Sequence, residues 1–315
     1  MQTTDKKKVI VICGPTASGK TDLGIALSDF IDIEIISADS RQIYKLLDIG
    51  TAKPTQEELS KVKHYFIDML MPDQEYNAGR YGDDAYQVLN QITANNKVPV
   101  IVGGSGLYIK SLCEGLFDDS ADTDAEIYKK QREILIEELS SKGIDYLYSQ
   151  LKDIDYNSYT AYADKNPRHV LRALEYYRAT GKIFSEAHKD NKIQRDITPY
   201  YFCIDFPREF LYNRINSRVL KMIELGLIDE VKSVLNKGYD KNLNSLNTVG
   251  YSEIIKYLDG EYSLDEAISE IQKNTRHYAK RQLTWFRKVP NIYYIPSKYS
   301  ISEMCSVILT EFNKN

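Results

Sequence analysis

The sequence predicts an α/β fold, a parallel sheet with helices on both faces built around a phosphate-binding loop, and three observations carry that expectation. An apolar run, Val9-Ile10-Val11-Ile12-Cys13, leads straight into Gly14-Pro15-Thr16-Ala17-Ser18-Gly19-Lys20-Thr21. Short apolar runs then alternate with helical patterns over the first hundred or so residues, the order that gives parallel strands with crossover helices. The 315 residues, 43% hydrophobic and 27% charged, match a soluble globular chain long enough for one large core and a second unit.

The loop is the most specific of these signals. Two glycines bracket four residues and Lys-Thr follows, the spacing at which backbone N–H groups curl around a diphosphate. The lysine then reaches the outer oxygens and the Thr21 hydroxyl can hold Mg²⁺. At ordinary glycine usage such a pattern arises by chance in roughly one chain in a hundred of this length. Leu23, Ala26, Leu27 and Phe30 continue at helical spacing, so a helix N-terminus points its dipole at the anion. Polyphosphate is the expected ligand, and the loop leaves open whether it belongs to a nucleotide.

A second strand is expected at Ile33–Ile36, running into Ser37-Ala38-Asp39-Ser40-Arg41-Gln42-Ile43-Tyr44. A third is expected at His64–Ile67, a helix from about Tyr81 to Thr93, and a fourth strand from Val98 to Val102. Ligands of such sheets bind at the carboxyl ends of the strands, which should bring the phosphate loop, Asp39 and the Gly103-Gly104-Ser105-Gly106 turn to one rim. From Asp118 the character changes. Asp118, Asp119, Asp122, Asp124 and Glu126 open a stretch that stays helical to about Lys192, with a helix start at Asn166-Pro167 and a stop at Gly181. The expected division is 1–117 with 198–315 as the core and its helical C-terminal region, and 118–197 as a helical insertion.

Tyr200–Asp205 returns as a strand. The remainder reads as helical: Pro207 to about Leu225, Leu227 to Lys237, and a last long helix opened by the capping box Ser263-Leu264-Asp265-Glu266. On that helix Leu264, Ala267, Ile268, Ile271, Tyr278, Trp285, Phe286 and Val289 share one side, and Lys273, Arg276, Lys280 and Arg287 the other. From Arg276 to Lys288 there are five basic residues and no acid, interleaved with aromatics. That is either a solvated face or a stripe for a phosphate backbone.

Other classes are set aside by what is missing. Cys13, Cys113, Cys203 and Cys305 stand far apart without a C-x-x-C pair, so they read as buried thiols, neither a zinc site nor a disulfide framework. His64, His169, His188 and His277 show no metal-ligand spacing. Lys6-Lys7-Lys8 precedes an apolar run too short for a signal peptide or a membrane span, so a cytoplasmic protein is expected. The formal charge of −4 argues against a chain that coats nucleic acid over its whole surface. There is no Asn-Lys-x-Asp guanine box, and Asp68 and Asp205 are undistinguished candidates for a Walker-B aspartate.

Two groups carry candidate chemistry, each with an ordinary alternative. Asp39 lies just past a strand end, where a carboxylate beside a diphosphate and a metal could accept a proton; it could equally cap a helix starting near Ser40. Arg214 and Arg218, four apart on one helix, could clamp a diphosphate or pair at the surface. Arg168 and Arg172 repeat that spacing in the insertion.

Several islands together resemble the bacterial tRNA dimethylallyltransferases, also called tRNA isopentenyltransferases. They are Gly14–Thr21, Ser37–Tyr44, Asp48-Ile49-Gly50-Thr51-Ala52-Lys53-Pro54, Gly103–Tyr108, Asn166–Glu175, Val249-Gly250-Tyr251 and Thr275–Phe286, in family order along nearly the whole chain. The resemblance implies transfer of a dimethylallyl group from dimethylallyl diphosphate to N6 of adenosine 37 beside the tRNA anticodon, with Mg²⁺ present. It implies that Gly14, Pro15, Thr16, Ala17, Ser18, Gly19, Lys20 and Thr21 hold that diphosphate, although such loops often carry a nucleotide- or ATP-binding label. By the same resemblance Asp39 takes the adenine proton, Thr21 assists the metal or the leaving oxygen, and Arg214 or Arg218 closes over the diphosphate. It attaches tRNA contact to Asp39, Ser40, Arg41 and Gln42, to Ser105, and to Arg168, His169, Val170, Leu171 and Arg172. Arg276, Lys280 and Arg281 are the basic-stripe residues expected to join them. Family members often carry Gln-Arg where this chain has Arg168-His169. A monomer that takes the target base out of the anticodon loop is the expected form.

Other readings remain at this stage. A P-loop kinase of a small metabolite or nucleotide explains the loop and leaves the long helical second half unused. A prenyl transfer to free AMP has less need of Arg168–Arg172 or of the basic helix. A nucleotide-dependent RNA-binding module has no need of Asp39.

Overall fold

The computed structural model describes residues 6–116, 125–190 and 193–314, with the backbone alone at 125 and 188–190. Asp118, Asp119, Asp122, Asp124, the expected boundary after residue 117, the end of the insertion at Lys192 and the His188 side chain therefore lie outside the described residues. Six strands form one parallel sheet in the order β3-β2-β4-β1-β5-β6: β1 Lys7–Cys13, β2 Ile33–Ser37, β3 His64–Tyr65, β4 Val98–Gly103, β5 Ile197–Asp205 and β6 Tyr293–Pro296. The first helices are α1 (Lys20–Ala26), α2 (Gln56–Lys61), α3 (Ala78–Ala94) and α4 (Gly106–Glu114). Then come α5 (Ala125–Ile154, broken at Gly143), α6 (Tyr156–Ala161), α7 (Pro167–Thr180) and α8 (Phe184–Asp190). After β5 follow α9 (Arg208–Glu224), α10 (Leu227–Asn236), α11 (Tyr251–Leu258) and α12 (Leu264–Phe286), and α13 (Ile301–Asn313) follows β6.

Strands covered on both faces read as near-continuous apolar runs. In β1, Val9, Val11 and Cys13 enter the core formed with α3, α4 and the C-terminal helices, while Ile10 and Ile12 enter a second core with α1 and α13. The chain divides into two compact units, Met1–Cys113 with Arg195–Asn315, and Glu114–Gln194. The second is helical and has its own core, from Leu135 and Leu147 to Val170, Leu174 and Tyr176. Its α7 starts where Asn166 caps the Arg168 N–H and Pro167 sits in the first turn, and stops at Gly181 with φ 73°. Ser263 and Glu266 form the expected capping box on α12.

Four expectations about the elements are corrected. Phe30 is 49% exposed: α1 tightens into a 3₁₀ turn at Leu27–Asp29, and the change of period carries Phe30 off the buried stripe. The third strand stops after two residues because Phe66 (φ 66°) and Asp68 (φ 54°) turn the chain out of the ladder. The region after β5 is not all helical; β6 is a four-residue edge strand ending in proline, too short to show a period. Trp285, expected on the apolar side of α12, is 39% exposed, and the buried positions include Ala279 and Gln282.

Candidate active site

The phosphate loop follows β1 without a spare residue. Gly14 has φ 135° and a Cβ there would lie 3.0 Å from Cys203 Sγ; Gly19 has φ 83° and stands at the N-terminus of α1. Lys20 Nζ folds back to donate to Pro15 O at 2.7 Å. Ser18 Oγ is buried with no hydrogen-bond partner among the described residues. A buried donor left unmatched inside the loop is what an oxyanion would satisfy. Gln282 of α12 pins the loop: its Oε1 accepts from Thr16 N at 2.9 Å and its Nε2 donates to Gly104 O at 3.0 Å.

Asp39 is held at the tip of β2 by its own turn, with Oδ1 accepting from Arg41 N at 2.9 Å and from Gln42 N at 3.4 Å. No helix begins at Ser40; residues 40–43 are turn, so the carboxylate closes a local turn and caps nothing. Ser40 N donates to Ser105 Oγ at 3.2 Å and Ser105 N donates to Ala38 O, which joins this turn to the one after β4. Gly103 has to lack a side chain here, since a Cβ would lie 2.1 Å from Ala38 O.

These segments enclose a narrow cavity of about 80 Å³ lined by Lys20, Thr21, Asp39, Gln42, Arg218 and Tyr278, with Ile35, Ile67 and Val102 giving it an apolar wall. A second, wider space of about 610 Å³ shares Lys20, Thr21 and Arg218 with it and is lined also by Gly19, Asp22 and Arg214. Burial pushes the Lys20 ammonium down to about 8, opposed by the charge of Asp39 and reinforced by Arg218. Burial also lowers Arg218 from its ordinary value, against the pull of Asp39 and Asp22. Two cations at the cavity share Asp39, an imbalance that an anionic ligand corrects. Arg214 Nε donates to Ala17 O at 2.8 Å, and Arg218 lines both spaces together with Lys20 and Thr21. Asp22 is raised, chiefly by burial and by Glu58.

The other expected site residues have partners of their own or face solvent. Arg41 Nη1 donates to Asn244 O at 2.7 Å, and Gln42 Nε2 donates to Thr51 O and Ala52 O. Arg276 is drawn off the solvent side of α12, its Nη1 donating to Asn216 Oδ1 at 2.7 Å, whereas Lys280 and Arg281 are exposed. In the helical unit Arg168 and His169 are exposed and Arg172 pairs with Glu175 at 3.5 Å. Val170 (0% exposed) and Leu171 (6%) pack in that unit's core, so within the stretch 168–172 the exposed side chains are those of Arg168 and His169. Asp68 is paired with Lys53 and Asp205 is exposed at the end of β5. All four cysteines are free and buried.

Sequence reasoning gave no role to Gln282, placed Tyr278 on the apolar side of α12, and set His64 aside as a metal ligand without giving it a place at the cavity, which it lines. An amide at the spacing of Ala279, Gln282 and Phe286 on a buried stripe is a signal that could have been read. His64 Nδ1 donates to Val62 O at 2.8 Å, Nε2 is left buried and unpartnered among the described residues, and burial lowers the ring from its ordinary value. Burial, helped by the Asp39 charge, pushes Tyr278 up to about 12.

The IPP transferase family model matches residues 42–289. The chain is 42% identical over 309 residues to a tRNA dimethylallyltransferase of Alkaliphilus oremlandii, covering 98% of this chain and 97% of that one. The chain belongs to the tRNA dimethylallyltransferase family. Its fold matches the tRNA isopentenylpyrophosphate transferase of Staphylococcus epidermidis with TM-score 0.70 at 37% identity, covering 98% and 99% of the two chains. It also matches a eukaryotic dimethylallyltransferase solved acting on tRNA, with TM-score 0.81 at 28% identity, covering 92% of this chain and 74% of that one. Among the described residues no helix is long and apolar enough to cross a membrane.

Proposed function

We propose that this protein transfers the dimethylallyl group of dimethylallyl diphosphate to N6 of adenosine 37 in tRNA and releases diphosphate. The observation that carries the reading is that one narrow cavity is lined at once by phosphate-loop residues, the buried cations Lys20 and Arg218, the Asp39 carboxylate and the apolar Ile35, Ile67 and Val102. Those are the groups that an allylic diphosphate and an attacking amine need together. The adenine N6 lone pair forms a bond to C1 of the allyl group as the C1–O bond to diphosphate breaks. The N6 proton passes to the Asp39 carboxylate, and the negative charge growing on the leaving oxygen meets the loop N–H groups, Lys20 and Arg218. Arg214, bonded to the loop itself, closes the diphosphate side.

The target base has to leave the anticodon stack to reach this cavity. Exposed Lys280 and Arg281, Ser40 and Arg41 beside the cavity, and Arg168 and His169 of the helical unit are the groups we assign to tRNA. Mg²⁺ suits the residues present: Thr21 offers a hydroxyl at the cavity, and one protein oxygen is enough for an ion that keeps its waters and binds through substrate phosphates. When bound, it would neutralise charge on the leaving diphosphate.

Mass analysis of tRNA nucleosides after incubation with dimethylallyl diphosphate tests the assignment. Prenylated adenosine supports it. ADP formation from ATP and a small acceptor, with unmodified tRNA, would replace it by a kinase.

A further inference from the structure

Outside the cavity, one carboxylate gathers three successive backbone N–H groups. Glu230, in the first turn of α10, accepts from Asp48 N at 3.0 Å and Ile49 N at 2.7 Å through Oε2. Its Oε1 accepts from Gly50 N at 3.1 Å and from the Tyr251 hydroxyl. Successive N–H groups converging in this way make the concave nest that binds anions. Here the anion comes from the chain's own distant helix. Four donors facing two oxygens require a carboxylate, because an amide would turn its own N–H₂ against one pair of them. Gly50 fits beneath Tyr251 only without a side chain, since a Cβ would lie 2.4 Å from the ring.

The nest begins a segment that ends in the cavity wall. Thr51 O and Ala52 O accept from Gln42 Nε2 at 3.3 and 3.2 Å, and Gln42 shares the turn closed by Asp39 Oδ1. Thr51, Ala52 and Pro54 line the same cavity as Asp39. Lys53 fixes the far end of the segment through Tyr44 O, Asp48 and Asp68. A run of hydrogen bonds therefore connects α10 to the Asp39 turn without passing through the phosphate loop.

We propose that Glu230 is a positioning residue for the prenyl transfer: it sets segment 48–54 and, through Gln42, the placement of the Asp39 carboxylate. The proposal rests on the prenyl-transfer reading, and its test separates the two. In full-length Glu230→Gln, turnover at saturating dimethylallyl diphosphate should fall on the order of tenfold to a hundredfold, the scale of an ångström-sized misplacement. KM for dimethylallyl diphosphate should stay within about twofold, because the phosphate loop is left intact. Amide hydrogen exchange should quicken in 48–54 and hold steady in 14–21. Tyr251→Phe keeps the three backbone bonds and should retain most turnover, while Glu230→Asp should recover part of what Gln loses. Unchanged exchange in 48–54, or a diphosphate KM that worsens in step with turnover, overturns the proposal. If Glu230→Gln does not fold, Glu230→Asp carries the same readouts. Exchange is read without catalysis, so a wild-type protein that fails to prenylate tRNA rejects the functional reading while the loop measurement still reports on Glu230.

Discussion

Raising the pH should weaken diphosphate binding without weakening the fold through the same group, and Lys20 is the reason. Burial lowers this ammonium from 10.5 to about 8, so about nine-tenths of it is charged at pH 7 and about one-tenth at pH 9. A bound diphosphate restores a partner for the charge and favours its protonated form. The apparent Kd should then be nearly flat to pH 7.5 or so and rise by about tenfold between pH 7 and pH 9. Stability runs the other way. A lysine whose folded pKa is depressed is destabilising while charged, and between about 8 and 10.5 the unfolded chain keeps a proton that the fold has shed, so the Lys20 contribution improves with pH there. Calorimetric titration of inorganic diphosphate from pH 6.5 to 9.5, with denaturant curves on the same samples, separates the two. Lys20→Arg keeps its charge throughout and should flatten the Kd profile. A wild-type Kd independent of pH, or the same rise in Lys20→Arg, would refute the assignment of that titration to Lys20.

Three further outcomes are expected. Asp39→Asn should lower turnover on the order of 10²–10⁴-fold, while the KM for dimethylallyl diphosphate holds or falls because the variant removes a negative charge beside Lys20 and Arg218; steady-state kinetics with a KM effect and no turnover effect would count against a proton acceptor. Gln282→Leu strands Thr16 N and Gly104 O and should cost about 1–3 kcal/mol in urea unfolding, with loosened diphosphate binding; a neutral result would mean the two groups find water. Removing Lys280 and Arg281 together should reduce the salt slope of tRNA affinity by about 1.5, whereas Arg276→Ala, which breaks a bond to Asn216, should lower stability and leave the slope alone. Equal slopes in both variants would return Lys280 and Arg281 to an ordinary solvated face.

What was legible in the sequence was local. The loop spacing, the strand-tip position of Asp39, the Asn166-Pro167 start and the Ser263 box each lie within a few residues of the group they organise, and the chain adopts them as read. What escaped was made by distance along the chain. Gln282 meets Thr16 across 266 residues, and Glu230 meets Gly50 across 180. The basic side of α12 shows the same limit from the other direction: its period was right, but α9 packs beside Arg276, which is half-buried and tied to Asn216.

The arginines of α9 show how far a periodic pattern can be pushed. Leu211, Ile215 and Val219 form the buried stripe of that helix. At 100° per residue Arg218 falls about 20° from Leu211, and Arg214 about 60° away. Arg218 therefore stands at the margin of the inner face, where an unpaired guanidinium is costly and an ordinary surface pairing is out of reach. Such an arginine needs charge supplied to it, and among the described residues Asp39 and Asp22 stand against Lys20 and Arg214 as its electrostatic neighbours. That deficit of negative charge at a phosphate loop is a stronger argument for an anionic substrate than the four-residue spacing, which a solvent-facing pair would show as well.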